Sequence, residues 1–206
     1  EGPQGSIYPT PIIGVAGVLE DIDLRLPSHF REEGDAIFLM GETLNELGGS
    51  QYLSLHHGLR KGLPPRLDFE KERKLYRFIN EAAKRRLVRS CHDLSEGGLA
   101  VALLESALGL GKRILGVEAD ALATAKPPLL RADAFLFGET QSRCVVSAVP
   151  EDLQAVEELA EEIGLPCLKV GTVAGKIFKL GSWIDIAMEE LADLYFGTLG
   201  RQAERL

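Results

Sequence analysis

Apolar and polar positions along this chain fall into short blocks whose spacing predicts a succession of strands and helices. Pro11 to Leu19 (P-I-I-G-V-A-G-V-L) is apolar with small residues throughout and predicts a buried strand. Asp35 to Met40 predicts a second strand, closed by Gly41, and Glu42 to Ser50 a loop or short helix ending in Gly48-Gly49-Ser50. From Asp68 to Val88 the period becomes helical, with Leu75, Phe78, Ile79 and Ala82 on one stripe. Asp68 is placed to cap that helix. Glu70 and Glu72 in its first turn and Lys84, Arg85 and Arg86 in its last suit the helix dipole.

Leu87 to Cys91 predicts a short strand, and a helix follows to about Leu110 with Leu99, Ala102, Leu103, Ser106, Ala107 and Leu110 on one face. Arg113 to Val117 predicts a strand. Ala119 to Ala132 reads as irregular, and Ala134 to Phe137 leads into a polar stretch before the strand Cys144 to Ala148. Pro150 opens a helix that Gly164 ends, with Leu153, Val156, Leu159, Ala160 and Ile163 inward. Cys167 to Val173 and Ile177 to Leu180 predict strands. Ile184, Met188, Leu191 and Tyr195 predict a last helix before a charged tail.

Strands and helices alternate, yet Val173 and Ile177 are joined by only a short turn around Lys176. Short connections of that kind argue for a mixed β-sheet with covering helices, an α+β fold, over a purely doubly wound sheet. Residues 1–10, with two glycines and two prolines, read as an extended linker, and residues 11–206 as one domain.

The composition narrows the function. A 45% apolar chain of 206 residues can bury a real core, and a net charge of −8 argues against a general nucleic-acid binder. It leaves room for a local phosphate site. No apolar run reaches membrane-spanning length and no signal peptide is present, so a cytoplasmic protein without membrane contact is expected. The three cysteines, Cys91, Cys144 and Cys167, form no CxxC pair and read as buried free thiols in a reducing compartment. The chain begins Glu1-Gly2-Pro3, which suits a processed product or a fragment of something longer.

Cys91-His92-Asp93-Leu94-Ser95-Glu96-Gly97-Gly98-Leu99 is the densest concentration of candidate chemistry. A polar cluster precedes a helix whose first turn carries two glycines, at about 1 kcal/mol each relative to alanine. Either another backbone approaches them closely or a ligand does. In the functional reading Asp93 is a metal or phosphate-site carboxylate, while Ser95 and the bare N–H groups around Gly97 and Gly98 cradle an anion. In the plainer reading Ser95 is an N-cap and His92 a satisfied polar residue at a strand end.

Phe137-Gly138-Glu139-Thr140-Gln141-Ser142-Arg143 is a second candidate: Glu139 could bind metal, and Gln141 and Arg143 an amide or phosphate. The plainer reading, a turn with a Glu–Arg ion pair of the kind common at strand entrances, is the better supported of the two by these residues alone. Gly48-Gly49-Ser50 can present N–H groups to an anion or be a flexible turn. Adjacent His56 and His57 point in different directions and lack a third ligand at a recognisable spacing, so they read as a surface pair. The basic runs Lys71 to Lys74 and Lys84 to Arg89 read as a solvated helix face.

Together these pieces resemble a known family. His92-Asp93-Leu94-Ser95-Glu96-Gly97-Gly98-Leu99-Ala100 is similar to the H-D-[VL]-S-[DE]-G-G-L-A signature of the last domain of phosphoribosylformylglycinamidine synthases, synthetase (large) subunit, within the aminoimidazole-ribonucleotide-synthetase-like (PurM-like) superfamily. Leu47 to Tyr52, Leu136 to Arg143, Val170 to Val173 and Tyr8 to Gly14 agree in order and spacing. The helix entrances of aminoimidazole ribonucleotide and selenophosphate synthetases fit Ser95-Glu96-Gly97-Gly98 less well.

The resemblance implies an ATP-driven amidation of formylglycinamide ribonucleotide with glutamine-derived ammonia, in de novo purine biosynthesis. It implies two homologous halves, of which this chain resembles only the final carboxy-type domain, with residues 1–10 leading from a nucleotide-binding domain. The family's catalytic histidine has no counterpart here, so no catalytic residue is expected and the chain is expected to be inactive alone. By analogy with the first half, Asp93 matches a magnesium-binding aspartate and Glu139-Thr140-Gln141 a substrate-binding Glu-Ser-Gln. Gly49, Ser50, His92, Asp93, Ser95, Gly97, Gly98, Glu139, Gln141 and Arg143 are then expected at an auxiliary nucleotide or phosphate site. ATP or ADP and Mg2+ are the cofactors implied for the complete enzyme. The implied partners are the amino-terminal domains of the same polypeptide, a glutaminase subunit and a small bridging subunit. Two alternatives stand beside this: a non-catalytic binding or assembly module, and the equivalent domain of another superfamily enzyme.

Overall fold

The computed structural model describes residues 11–111 and 113–203, so the linker expected over residues 1–10 lies outside the described part. In chain order the elements are β1 (Ala36–Met40), α1 (Gln51–His57), α2 (Phe69–Lys84), β2 (Ser90–Asp93), α3 (Gly98–Leu108), β3 (Val117–Ala119), α4 (Leu122–Ala125) and α5 (Ala132–Phe137). They continue with β4 (Cys144–Ala148), α6 (Leu153–Ile163), β5 (Cys167–Val173), β6 (Ile177–Leu180), β7 (Ile184–Ala187) and α7 (Met188–Ala203). Short 3-10 turns cover Ile22–Leu24 and Pro150–Asp152.

The seven strands form one sheet in the order β2-β4-β1-β5-β3-β6-β7. Only β3 and β6 run parallel; every other described pairing is antiparallel. The expected mixed sheet with covering helices is what forms. Strand β1 lies inside the sheet between β4 and β5, with Ala36 opposite both Ala148 and Thr172. Its five residues are all buried because alternate side chains enter the two helical layers. Ile37 and Leu39 join a core with α3, α5 and α7. Phe38 and Met40 join Leu75 and Phe78 of α2 and Val156 and Leu159 of α6 on the other face.

The capping expectations for α2 hold: Asp68 accepts the N–H groups of Glu70 at 2.9 Å and Lys71 at 3.2 Å. The helix stops at Lys84, before the expected Val88, because Arg86 turns left-handed at φ 57°. Gly164 ends α6 in the left-handed region, as expected.

Several elements differ from the sequence expectations. Pro11 to Leu19 forms no strand, and Ile12, Val15 and Val18 are more than nine-tenths exposed. The apolar pattern marks a segment suited to burial, but the described sheet closes without it. Strand β2 spans Ser90–Asp93, two residues beyond the expected Leu87–Cys91. Val117–Ala119 is the strand expected from Arg113, and the supposedly irregular stretch contains α4. Ile184 to Ala187 is a strand and not the start of the last helix. Ile184 and Ile186 alternate with Asp185, a period of two, and pair with β6.

Candidate functional site

Strand β2 lies at the sheet edge and pairs only with β4, Asp93 standing opposite Cys144. The chain then turns through Leu94 to Gly97 into α3. Both glycines adopt left-handed backbone, Gly97 at φ 81° and Gly98 at φ 64°, which explains the residue type directly. Space explains it again at Gly98. A Cβ there would stand 2.5 Å from the Gly138 carbonyl oxygen and 2.9 Å from the Phe137 carbonyl carbon. The close approach is therefore another backbone, the C-terminal end of α5.

Gly97 caps α3 and supplies no side chain for the purpose. Ser95 is exposed and is not the N-cap of the plainer reading; its carbonyl accepts the Gly98 N–H at 3.1 Å. The Gly97 N–H is taken by Glu139 Oε1 at 3.0 Å, and the same oxygen accepts the Gln51 N–H at 2.9 Å. One carboxylate thus bridges the starts of α3 and α1. An anion does sit at this helix start, and it belongs to the chain itself.

The remaining expected residues divide into two groups. Asp93 and Gln141 lie outward: the Asp93 side chain is 79% exposed, and Gln141 Nε2 donates to the Glu139 carbonyl at 3.2 Å. His92 is tucked in, its Nδ1 2.7 Å from the Asp93 carbonyl oxygen and its Nε2 3.5 Å from Glu105 Oε2. Gly49, left-handed at φ 74°, donates its N–H to the Lys61 carbonyl at 3.2 Å. Ser50 is buried and occupied as the α1 cap, accepting from the Leu53 N–H at 3.3 Å and donating to the Leu47 carbonyl at 2.6 Å.

Arg143 sits beneath this surface rather than on it, at 2% exposure. Its Nε donates to the Thr140 carbonyl, Nη2 to the Gly138 carbonyl and Nη1 to Thr43 Oγ1, at 2.9, 2.6 and 3.0 Å. Burial pushes the guanidinium down to about 10, opposed by the charge of Glu46. The Glu–Arg ion pair expected in this turn does not form between Glu139 and Arg143. Arg143 instead ties the Glu139 loop to the loop after β1.

Two cavities flank the Glu139 bridge and share Gln51. One, of about 400 Å³, is lined by Gly49, Ser50, Gln51, Ser54, Arg60 and Lys61. The other, of about 280 Å³, lies against Gly97, Val101, Tyr52, His56 and Phe137. Tyr52 stacks on Phe137 with ring centroids 5.0 Å apart and on His56 at 5.3 Å. Tyr52 and Phe137 stand in the candidate segments without a binding role having been expected of them, and Arg60 and Lys61 were not expected here at all. Their one sequence signal is a basic pair after a glycine-ended helix. Its placement depends on the chain folding back so that Gly49 bonds to Lys61. Among the described residues, no group of three His, Cys, Asp or Glu side chains suits a metal ion. A carboxylate, two cations and an aromatic wall are thus gathered around the starts of α1 and α3.

Residues 32–179 match the family described as AIR synthase related protein, C-terminal domain. The chain is 39% identical over 97% of its length to the phosphoribosylformylglycinamidine synthase subunit PurL of Caldanaerobacter subterraneus subsp. tengcongensis, and 43% identical over 85% of its length to that of Moorella thermoacetica. It spans 27% and 23% of those relatives, about a quarter of each. Among solved structures, Thermotoga maritima PurL complexed with FGAR superposes with a TM-score of 0.69 at 21% identity, over 83% of this chain and 30% of that one. Escherichia coli HypE, a hydrogenase maturation protein, superposes at 0.55 with 16% identity, over 79% and 51%. These superpositions share the fold of the mixed sheet and its two helical layers. With the family match covering β1 through β6 and the glycine-started α3 at its centre, the chain belongs to the family of AIR synthase related protein C-terminal domains.

Proposed function

We propose that this chain is the carboxy-terminal domain of a phosphoribosylformylglycinamidine synthase large subunit, residues 11–206 forming the domain and residues 1–10 its linker. The complete enzyme amidates formylglycinamide ribonucleotide with ATP and glutamine-derived ammonia in purine biosynthesis. The observation that carries this is 39% identity to such a subunit over 97% of the chain. The partners in this reading are the amino-terminal domains of the same polypeptide, a glutaminase subunit and a small bridging subunit, in the cytoplasm. Among the described residues no helix is long and apolar enough to cross a membrane, which is compatible with that setting.

Within the enzyme the domain supplies an auxiliary nucleotide or phosphate site around Gly49, Ser50, His92, Asp93, Ser95, Gly97, Gly98, Glu139 and Gln141, with Arg143 holding its floor. It performs no turnover alone. Phosphate oxygens would compete with Glu139 for the Gly97 and Gln51 N–H groups. Asp93 fits a magnesium ion, which keeps most of its waters and needs one or two carboxylates beside the phosphates. Its outward carboxylate would hold the ion, and the ion would neutralise phosphate charge.

One observation favours a second reading. The backbone packed against Gly98 accounts for that glycine without any ligand, as an assembly module would require. Titration of the chain with ATP and Mg2+, followed by the amide resonances of Gly97 and Gln51, separates the two. Saturable shifts at both amides are expected. A folded chain whose amides do not respond leaves only the assembly role, and turnover of formylglycinamide ribonucleotide by the chain alone overturns the auxiliary role.

A further inference from the structure

We propose that the cavity between the Asp23–Pro27 loop and the C-terminal end of α2 binds a small molecule carrying more than one phosphate. It measures about 440 Å³, within the range of small-molecule sites. Four arginines from two stretches of chain line it, Arg25 and Arg31, Arg86 and Arg89, with Nη1 of Arg25 donating to the Ile22 carbonyl at 3.2 Å. Leu26 and Val88 contribute apolar wall.

The acids nearby compensate these cations only in part, the charge of Glu32 acting on Arg31 and Arg89. Asp23 and Glu32 are the acids that line the cavity. Glu32 is held from outside by Arg113 in a two-pronged contact of 3.0 and 2.7 Å. Arg89 reaches Asp35 at 3.0 Å. Among the described residues, no carboxylate lies within 4.0 Å of Arg25, Arg31 or Arg86. On α2 itself Lys71 pairs with Glu42, Arg73 with Glu70 and Arg77 with Glu162.

Arg86 adds a second, independent sign. It occupies the left-handed position after α2, at φ 57°, where glycine is the ordinary residue. An arginine held there accepts backbone strain, and strain of this kind gathers at ligand clamps. Guanidinium forks match the oxygen geometry of phosphate.

This cavity is separate from the Glu139 surface. Arg89 immediately precedes β2 and Asp93 ends it, so the two lie at opposite ends of one strand. The proposal therefore stands whether or not the auxiliary-site reading does.

The test is titration of the chain with pyrophosphate, ADP, citrate and a polyglutamate peptide, by calorimetry and amide shifts at low and high salt. The variants are Arg86→Gly and the pair Arg25→Ala/Arg31→Ala. One saturable pyrophosphate site is expected, with shifts at residues 86–89, weaker at high salt. Arg86→Gly weakens it at least tenfold while melting no lower than the parent, because glycine suits the backbone. The double variant abolishes it. ADP binding as tightly as pyrophosphate identifies a nucleotide source, and pyrophosphate alone an inorganic one. No saturable binding, affinity unchanged in both variants, shifts confined to Gly97, or a response to citrate or polyglutamate but not pyrophosphate overturns the proposal.

Discussion

The carboxylate of Glu139 accepts the N–H of Gly97 at 3.0 Å, so the first turn of α3 is capped by a residue 42 positions later in the chain. The same oxygen holds Gln51. Glu139→Ala strands both donors and is expected to cost about 1–2 kcal/mol, the lower part of the range for charged hydrogen bonds because the site is partly wet. Glu139→Gln keeps an acceptor but not the charge, and should lose about half as much. Urea denaturation of both variants checks this; parent-like stability in Glu139→Ala would sink the bridge.

Gly97 and Gly98 respond differently to a methyl group. At Gly98 the obstacle is the Gly138, Phe137 and Leu136 backbone, which cannot step aside, and Gly98→Ala should destabilise by about 3 kcal/mol or more. At Gly97 the obstacle is the Val101 side chain. Val101→Ala should therefore recover part of the loss in Gly97→Ala and none in Gly98→Ala, read as denaturation midpoints of the two double mutants.

Arg143 is expected to be among the most costly exposed-motif residues to replace. Arg143→Met leaves the Thr140 and Gly138 carbonyls without their donor, at about 1–3 kcal/mol for each unsatisfied buried group. Arg143→Lys retains charge but cannot reach three acceptors from one plane, so it should rescue less than half. A lysine variant as stable as the parent would show that charge alone matters there.

The pH dependence should carry one inverted limb. Burial raises the Asp35 carboxyl above its ordinary value, only partly offset by Arg89, and its Oδ2 has no hydrogen-bond partner among the described residues. A raised carboxyl keeps its proton in the folded state after the unfolded chain has released it. Its contribution to stability therefore falls as pH rises from the ordinary carboxylate range through the raised value. Asp35→Asn should remove that fall, making the difference from the parent grow in the variant's favour between acid and neutral pH. Chemical denaturation of both at several pH values measures it; a difference independent of pH refutes the assignment.

Native alkylation should rank the three thiols. The neighbouring Cys144 thiol pulls the Cys91 thiol down and Cys144 is itself pushed well up, while burial raises Cys167 to about 12. Cys91 also lines an open cavity beside Ile79 and Ala83. Iodoacetamide followed by peptide mass analysis should find Cys91 modified first and Cys144 last. Equal rates for all three would contradict the contact between Cys91 and Cys144.

Much of the fold was legible because its signals are local. The strands at Ala36–Met40, Cys144–Ala148, Cys167–Val173 and Ile177–Leu180, the Asp68 cap and the Gly164 stop each depend on a few neighbouring residues. Pro11 to Leu19 misled because apolar spacing reports suitability for burial and not the presence of a partner. Ile184 to Ala187 misled because a strand of four residues joins the following helix with no break to mark the change of period. At the candidate site the glycines and the Glu139 motif stood out, yet their relation did not. Nothing in the spacing reveals that Glu139 reaches Gly97, that Arg143 turns inward, or that Arg60 and Lys61 fold back beside Gly49. Each is settled by tertiary packing.

The place of β1 between β4 and β5 sets a timetable for biosynthesis. Ala36 finds its neighbours only at Ala148 and Thr172, more than a hundred residues later. A ribosome adding about 5–20 residues per second leaves that interval open for on the order of ten seconds. Throughout it, A-I-F-L-M has two unpaired edges, and of the two helices that cover Phe38 and Met40 only α2 has been made. Such a nascent chain has a long window for misassociation, so its yield should depend more on chaperone supply than on the stability of the finished domain.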